Sequence, residues 1–395
     1  MVAQPICKVV GCADAQLEPC KNRGIIMSSE PRKRDNLFSK IYRVDEASSM
    51  DLPAHGPSDI SSLIEPYRRE LHLHCYRLLG SLHDAEDQVQ ETMLRAWRHF
   101  DTFKGSASLR TWLYTIATNA CLDALKKRSP RTLPTIAYPR ADPRSPIAPP
   151  MVEAIWLEPY PDIWMVEAAE NPEARYSRHE SVSLAFLTAI QLLPPRQRAI
   201  LILSDVLDWH ANEIAHLLEL SISAVNSALH RARVTLEKNY HADEREMASE
   251  SLPDAETNTL LSRYVRAWET DDVAGLVALL KEDAILNMPP YPSWYRGREA
   301  IRAILHAAPF RAGMQNRWRL SPTHANGQQA FALYRADESK TSYRAYGLQL
   351  ITIDHSRLPG QIAQVTIFHL SSLVTSFGLP PELPVTDQYN EHAIE

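Results

Sequence analysis

Residues 104–131 combine positive charge with aromatic side chains. The segment holds one acid, Asp123, and its basic residues are Lys104, Arg110, Lys126, Lys127, Arg128 and Arg131. The aromatic residues in it and just before it are Phe100, Phe103, Trp112 and Tyr114. Basic groups follow a phosphate backbone and aromatic faces stack on unpaired bases, so this composition favours binding of single-stranded DNA. Phe100 and Trp112 are more simply explained as core, whereas Tyr114, Thr118 and Asn119 lie off the apolar stripe and are expected to be exposed.

Residues 213–233 carry the pattern of a helix-turn-helix. A short amphipathic helix is predicted from Glu213 to Leu218, followed by a tight turn and a second helix capped by Ser221 or Ser223. Ile222 and Val225 are predicted to fill the angle between the helices. The motif presents the start of its second helix to the major groove of DNA. The DNA-contact candidates are Ser223, Asn226, Ser227, His230, Arg231 and Arg233. An ordinary helical hairpin is the alternative, although it would not need these basic residues.

A third feature is an acidic helix start at residues 84–91. Its candidate contact residues are Asp84, Glu86, Asp87, Gln88 and Glu91. The buried face of the same helix is predicted to contain Val89, Met93, Ala96, Trp97 and Phe100. Acids are favoured at a helix N-terminus in any protein, which is the simpler interpretation. The alternative is a docking face for a basic partner.

The elements that must position these residues fall into separate blocks. We expect a disordered tail at 1–55, a first helical domain at 56–130, a proline-rich linker at 131–178 and a second helical domain at 179–241. A charged hinge at 242–256, an α+β domain at 257–384 and a tail at 385–395 would follow. Ten prolines between residues 129 and 178 predict an extended linker. Its cluster Trp156–Asp162 is too aromatic for a passive spacer, so Trp156 and Tyr160 are candidates for interdomain contacts.

The composition limits the function classes. The net charge is −6, from 42 Lys and Arg against 48 Asp and Glu, so any nucleic-acid site must be local. No apolar run is long enough to span a membrane and no secretory signal is recognised, which predicts a cytoplasmic protein. Met50 is an alternative start.

Catalytic and metal-binding patterns are weak. Asp283, His324 and His369 have no partners at catalytic spacing, so no enzymatic activity and no cofactor are expected. Cys7, Cys12 and Cys20 lack a metal-type pair, while Cys75 and Cys121 fit buried core positions. In the last domain, the residues interpreted as core in preference to the lining of an apolar pocket are Trp268, Met288, Tyr291, Trp294 and Tyr295.

The order of these motifs resembles a known family. The runs Tyr67–Glu70, Asp84–Asp87, Ser108–Leu113 and Ile116–Asn119 resemble sigma-70 region 2. The run Leu193–Arg198, the helix-turn-helix and His230–Arg233 resemble sigma-70 region 4. With no region 3 between them, the chain resembles extracytoplasmic-function (ECF) sigma factors. The tryptophan-proline linker and the α+β tail resemble the subgroup with a C-terminal SnoaL-like (nuclear-transport-factor-2-like) cone.

The resemblance implies a fold, partners and residue roles. It implies all-α region 2 and region 4 domains, a proline-rich linker and an α+β cone. Core RNA polymerase would be bound through its β′ clamp helices, against residues 84–91, and through its β flap. Promoter DNA would be bound at the −10 element by the loop 103–108 with Asn119, and along the backbone by residues 126–128. The second helix of the turn motif would read the −35 element.

Two positions depart from the family pattern. Glu219 stands where glycine is most frequent and tolerates a left-handed backbone less well. Asn226, Ser227 and Ala228 stand where basic residues are frequent, which favours direct base reading by Asn226, for example of adenine, over electrostatic binding.

Other functions stay open from the sequence alone. A one-component helix-turn-helix regulator with a ligand-sensing tail would leave the acidic helix and the Asn119 segment unexplained. An isomerase or cyclase activity in the cone is a third alternative. The cone would bind a small-molecule ligand or make an intramolecular contact that modulates activity.

Overall fold

A computed structural model describes residues 57–103, 105, 107–151, 155–165, 181–239, 255–311, 317–339, 341–356 and 360–385. The predicted N-terminal tail, most of the hinge and of the C-terminal tail, and the candidate residues Lys104 and Ser106 lie outside the described residues.

The first helical domain contains α1 (Pro57–Ile64), α2 (Arg68–Leu79), α3 (Leu82–Arg98) and α4 (Leu109–Leu125). α2 ends at Gly80, whose φ of 70° is left-handed. A Cβ at this position would approach the Leu157 side chain to 2.7 Å, so both the backbone and the space require glycine. Ser81 and Ser108 cap α3 and α4 by accepting backbone N–H groups of their first turns.

The linker is packed against the rest of the protein. Its described part holds one short helix, α5 (Pro134–Ala137), and a single-turn 3₁₀ helix at Asp162–Trp164. The Thr132 backbone exchanges hydrogen bonds of 2.9 Å with Ile155 and Leu157, which ties the two ends of this stretch together. Trp156 is 5% exposed and Tyr160 is fully buried, so the aromatic cluster is not a passive spacer.

The second helical domain contains α6 (Leu184–Gln191), α7 (Pro195–Leu201), α8 (Ala211–Leu218) and α9 (Ile222–Asn239), with a π-helical turn at Ile202–Val206. It packs directly on the first domain. Arg77 of α2 donates to the Ser181 hydroxyl at 2.7 Å, and the buried Arg198 of α7 donates to the Leu78 carbonyl. Burial lowers the pKa of Arg198 to about 10.

The cone domain is α+β. Its helices are α10 (Ala255–Glu269), α11 (Val273–Leu279), α12 (Arg298–Ala307) and α13 (Ser371–Ser376). Its strands are β1 (Leu280–Asn287), β2 (Trp294–Arg296), β3 (Trp318–Ala325), β4 (Gln328–Ala336), β5 (Ser342–Asp354), β6 (Gln361–Phe368) and β7 (Glu382–Pro384). They form one mixed sheet in the order β2-β1-β6-β5-β4-β3, with β7 beside β5 and the β1–β6 pair parallel.

Successive residues of strand β4 point to opposite faces of the sheet and pack in two different hydrophobic clusters. Phe331 packs in the cluster that contains Trp268 of α10, whereas Ala332 lies in the cluster that contains α13. The Trp268 ring lies 4.9 Å from that of Phe310 and 6.0 Å from that of Trp318. Trp268 is therefore core, as predicted, and the predicted multidomain fold class is confirmed.

Candidate nucleic-acid and polymerase interfaces

The helix-turn-helix is built from α8 and α9. Glu219 takes the left-handed conformation (φ 55°, ψ 48°) that the turn needs, and the Leu220 N–H donates to the Ala215 carbonyl at 2.9 Å. The Ser221 hydroxyl accepts the Ala224 N–H at 3.2 Å and so caps α9.

The angle between the two helices is filled by Val225, which is fully buried. Ile222, predicted to share that role, is 51% exposed, so this prediction is wrong. Ile222 is the first residue of α9, and its side chain lies outside the contact between α8 and α9.

The polar face of α9 is open to solvent. Its exposed residues are Ser223, Asn226, Ser227, His230, Arg231 and Arg233. Arg233 donates two hydrogen bonds, of 2.6 and 2.9 Å, to the Asp205 carboxylate, which raise its pKa and orient its guanidinium. His230 and Arg231 are the other basic side chains on this face that could meet a phosphate backbone.

The surface of α4 is more covered than its periodicity predicts. Asn119 is exposed as expected, but Tyr114 is 1% exposed and Thr118 is fully buried, so their predicted exposure is wrong. The reason is tertiary, because α2 and the second domain both pack on α4. Thr118 hydrogen bonds with His74 at 2.9 Å, and the Tyr114 ring lies 6.1 Å from that of Trp209. Tyr114 is therefore corrected from a DNA contact to a core residue.

The basic residues of α4 and of the residues just after it differ in whether they form an ion pair with an acid of the protein. Arg110 forms a 3.0 Å ion pair with Glu70 and lies over the Tyr114 ring. Lys126 pairs with Asp123 at 2.8 Å, and Lys127 is exposed.

An aromatic cluster borders the loop 103–108. The rings of Phe100, Phe103 and Trp112 have centroids 5.3 to 6.1 Å apart. All three are partly exposed, so their faces are not sealed inside the core. The loop therefore begins at an accessible aromatic side chain, Phe103.

The acidic helix start also divides into buried and exposed residues. Asp84 is 9% exposed and forms ion pairs with Arg128 and Arg131, so it is not a free docking acid. Glu86 contacts Arg68 on its own domain, and Gln88 is half-buried.

One stripe of α3 remains accessible. Its members, at helical spacing, are Asp87, Gln90, Glu91, Leu94 and Trp97. Glu91 is half-buried and pairs with Arg95 at 2.6 Å, whereas Asp87 is exposed. Leu94 is 48% and Trp97 46% exposed, so the prediction that Trp97 belongs to the buried face is wrong.

A shallow groove lies beside this α3 stripe. Its lining includes Ile64 and Met93 as well as Leu94 and Trp97. Acids followed by exposed apolar groups on one helix face suit a protein partner.

The linker reaches α3 through Glu158. Its carboxylate accepts the Ser81 hydroxyl at 2.9 Å, the Leu82 N–H at 2.8 Å and a bond from His83 Nδ1 at 3.1 Å, at the positive end of α3. Burial opposes ionisation, yet the interactions with His83, Arg131 and Ser81 hold the pKa of Glu158 below its usual value. The same bond raises the pKa of His83.

The linker, both helical domains and the cone meet at one side chain, Asn326. It lies at the tip of the β3–β4 hairpin, where Asn326 (φ 57°) and Gly327 (φ 73°) form a tight turn with two left-handed residues. Its amide nitrogen donates to the Tyr76 hydroxyl at 2.9 Å and to the Val182 carbonyl at 2.7 Å. Its amide oxygen accepts the Tyr160 N–H at 2.8 Å.

We call Tyr76, Tyr160, Val182 and Asn326 the interdomain junction. Asn326 is 1% exposed there, and its side chain forms all three bonds with other segments. Beside it, the Gly327 N–H donates to the Asp162 carboxylate at 3.0 Å, and burial raises the pKa of Asp162 to about 7.

The two interdomain candidates of the linker occupy different places. Tyr160 lies at the junction, whereas the Trp156 ring lies 6.0 Å from that of Tyr138, within the linker. Asn326 itself was missed from sequence, where an Asn-Gly pair signals a hairpin turn and nothing about what the turn contacts.

The three catalytic candidates of the cone, Asp283, His324 and His369, lie in different surroundings. Asp283 pairs with Arg296 at 3.2 Å, and His324 lies on β3 two residues before Asn326. His369 lies between the rings of Tyr291 and Tyr346, and burial lowers its pKa to about 4.

The other aromatic and apolar candidates of the cone are at least partly covered. Met288 and Tyr295 are buried, as their interpretation as core requires. Tyr291 and Trp294 are half-buried, and the Trp294 ring N–H donates to the linker carbonyl of Tyr138 at 2.9 Å. Trp294 therefore contacts the linker as well as the cone.

The cysteines of the first domain, Cys75 and Cys121, are buried free thiols, as predicted. Among the described residues, no cluster of three His, Cys, Asp or Glu side chains could hold a metal ion. The same part of the chain contains no helix long and apolar enough to cross a membrane.

Comparison with known proteins gives matches along most of the chain. The family model for Sigma-70 region 2 matches residues 63–131, that for Sigma-70, region 4 matches residues 183–236, and that for the SnoaL-like domain matches residues 261–364. A more distant relative, the ECF RNA polymerase sigma factor SigW of Bacillus subtilis, is 29% identical over 45% of this chain and 87% of its own length. The crystal structure of Mycobacterium tuberculosis extracytoplasmic function sigma factor SigJ has a TM-score of 0.48 at 22% identity, covering 81% of this chain and 99% of that one.

A nearer relative covers most of the chain. The ECF RNA polymerase sigma factor SigG of Mycobacterium tuberculosis is 42% identical over 327 residues, which cover 82% of this chain and 85% of that relative. The predicted resemblance is confirmed, and the chain belongs to the ECF RNA polymerase sigma factor family.

Proposed function

We propose that this protein binds core RNA polymerase, directs it to specific promoters and helps to open the −10 region, without covalent chemistry of its own. The main support for this proposal is the exposed stripe on α3. A one-component helix-turn-helix regulator would not need an accessible row of acids and apolar groups on a separate domain. Family membership supports the same assignment.

The α3 stripe is proposed as the polymerase-docking surface. Asp87 and Glu91 offer negative charge to the basic clamp helices of the β′ subunit, and Leu94 and Trp97 offer apolar area that a partner would cover. Charge complementarity would steer the encounter, while the apolar groups would contribute most of the affinity. Asp84 would support this helix from within the domain.

The −10 element is proposed to bind beside Asn119 and the aromatic cluster. Phe103 and Trp112 can receive an unstacked base, and Lys127 can hold the adjacent phosphate. Region 4 is proposed to read the −35 element with the exposed face of α9 and to contact the β flap.

The direct test is run-off transcription by purified core polymerase on a promoter library. The full chain should support specific transcripts, and Asp87→Lys should reduce both the transcripts and co-purification with core. Glu256→Lys makes the same charge change at an exposed acid near the start of α10 and should change neither. Absence of any transcript that depends on the chain would overturn the proposal, since a repressor supports none.

We further propose that the cone holds regions 2 and 4 in a closed arrangement that lowers promoter activity. The Tyr114 ring contacts Trp209, and the stretch from Trp209 to Asn226 is largely helical, so it spans at most about 40 Å. Asn119 lies on α4 about 7.5 Å along the helix from Tyr114. The −10 and −35 elements lie roughly 85 Å apart along duplex DNA at about 3.4 Å per base pair. The two DNA-reading surfaces would therefore have to separate before both elements are bound.

The interdomain junction offers a way to test this modulation. Asn326→Asp replaces the amide donor with a carboxylate oxygen, which loses the bonds to Tyr76 and Val182 and repels the Val182 carbonyl. We expect transcription to rise several-fold. Gln328→Glu makes the same chemical change two residues along the hairpin, where the side chain contacts Thr352 of the cone, and should have no such effect. Equal transcription from Asn326→Asp and the unsubstituted chain would leave the cone without a modulating role.

A further inference from the structure

Ile222 is an exposed aliphatic residue at the first position of the recognition helix α9. Its side chain is 51% exposed, and the capping residue Ser221 precedes it directly. Because Val225 fills the angle between α8 and α9, the fold itself gives Ile222 no packing role there. The Ile222 side chain is therefore available to contact a partner of α9.

Ile222 lies on the same helix face as the polar candidates. Asn226 and His230 follow it at intervals of four residues, and all three are exposed. The opposite face carries the buried residues Val225, Ala228 and Ala232. Ile222 is therefore the N-terminal member of the exposed face, in the part of a recognition helix that contacts base edges.

The first two turns of this face are electrically neutral. Residues 222–229 contain no Lys, Arg, Asp or Glu, so charged side chains of these turns cannot discriminate between bases. Neutral groups can still read the major groove in two ways. An amide such as that of Asn226 can bind adenine in a bidentate manner, and an aliphatic side chain can contact the C5-methyl group of thymine.

We infer that Ile222 reads the C5-methyl group of a thymine in the −35 element, beside the base contacted by Asn226. Contact with this methyl group removes two apolar surfaces from water, and a cytosine or uracil at the position offers no equivalent group. The inference rests on the proposed promoter recognition and adds a specificity-determining residue to it.

The test uses holoenzyme, assembled from core polymerase and the full chain, on a promoter whose −35 element has been mapped by base substitution. Each thymine of that element, on either strand, is replaced singly by uracil, which removes the methyl group alone. At one position the affinity of the unsubstituted holoenzyme should fall by about fourfold, the effect of one buried methyl-sized group. Ile222→Ala should bind thymine DNA more weakly and should lose the sensitivity to uracil at that position.

Val234→Ala is the matched control. Val234 is 52% exposed on the same helix, about three turns further along, so this variant also shortens an exposed aliphatic side chain. It should keep the full sensitivity to uracil. Retained sensitivity in Ile222→Ala, or equal affinity for every uracil-substituted element, would overturn the inference while promoter recognition stands. Failure to find any promoter-specific binding would instead overturn the proposed function.

Discussion

The recognition helix α9 and the proposed −10 helix α4 differ in how well their periodicity predicts exposure. On α9 the polar candidates are exposed as predicted, because α7 and α8 cover one side of the helix and no described element covers the other. On α4 the predicted exposed set divides, with Asn119 accessible and Tyr114 and Thr118 buried. The difference is that α4 packs on α2 and also meets region 4. A hydrophobic stripe locates one buried face, whereas a second buried face depends on contacts far away in sequence.

Charge reversal at two acids of α3 should give the largest difference in stability between a buried and an exposed position. Arg131, which is paired with Asp84, is itself buried, so Asp84→Lys would place a second positive charge against it. We expect a loss of about 3–5 kcal/mol in the free energy of unfolding. Asp87→Lys, three residues along the same helix but exposed, should change stability by no more than about 0.5 kcal/mol. Urea unfolding followed by tryptophan fluorescence measures both, and equal stabilities would mean that Asp84 is not buried in an ion pair.

The buried pair of His74 and Thr118 predicts a pH dependence. Burial lowers the pKa of His74 to about 3, so the folded chain keeps it neutral where the unfolded chain, with a pKa near 6.5, takes up a proton. Stability should therefore fall as the pH decreases below about 6.5, with up to about 1.4 kcal/mol per pH unit from this group.

The variant His74→Gln should reduce that slope, whatever its effect on stability at neutral pH. His216→Gln, at an exposed position on α8, is the control and should keep the slope of the unsubstituted chain. An unchanged slope in His74→Gln would place His74 outside the core.

Substitutions at Asn119 and Tyr114 would distinguish the proposed DNA contact from core packing on the same helix, α4. Asn119→Ala should reduce open-complex formation on duplex promoters, and a premelted −10 bubble should restore part of it, because unstacking costs on the order of a few kcal/mol. Tyr114→Phe loses hydrogen bonds with Glu70 and Arg110, so it should lower stability by about 1 kcal/mol. Permanganate footprinting measures the opening. Normal opening of duplex promoters by Asn119→Ala would contradict the proposed role of Asn119 at the −10 element.

Lys127 should give the smallest effect. As an exposed cation beside the proposed −10 surface, it would contribute one phosphate contact, so Lys127→Ala should lower the slope of log affinity against log salt by about one. Arg263→Ala, which removes an exposed cation from α10 of the cone, is the control. A salt titration of holoenzyme binding that shows the same slope for both variants and the unsubstituted chain would remove Lys127 from the contact.

The local features were predictable from sequence and the assembly was not. Apolar spacing and caps such as Ser108 predict the helices, alternation predicts β4 to β6, and the turn at Glu219 follows from the helix-turn-helix pattern. Asp84 looked like an exposed acid because its partner Arg131 lies 47 residues away. Asn326 could not be recognised as a junction residue because its contacts, in the first domain and at the start of the second, are brought to it only by domain packing.

The closed arrangement of regions 2 and 4 is tested most directly by a distance measurement in solution. Dyes are placed at Asp123→Cys and Lys238→Cys, both exposed positions, after the cysteines of the N-terminal tail are replaced by serine; Cys75 and Cys121 are buried. Energy transfer should be high in the free chain, lower in Asn326→Asp, and lowest in the complex with core polymerase and promoter. The same transfer efficiency in the free chain and in the promoter complex would contradict a closed state that opens.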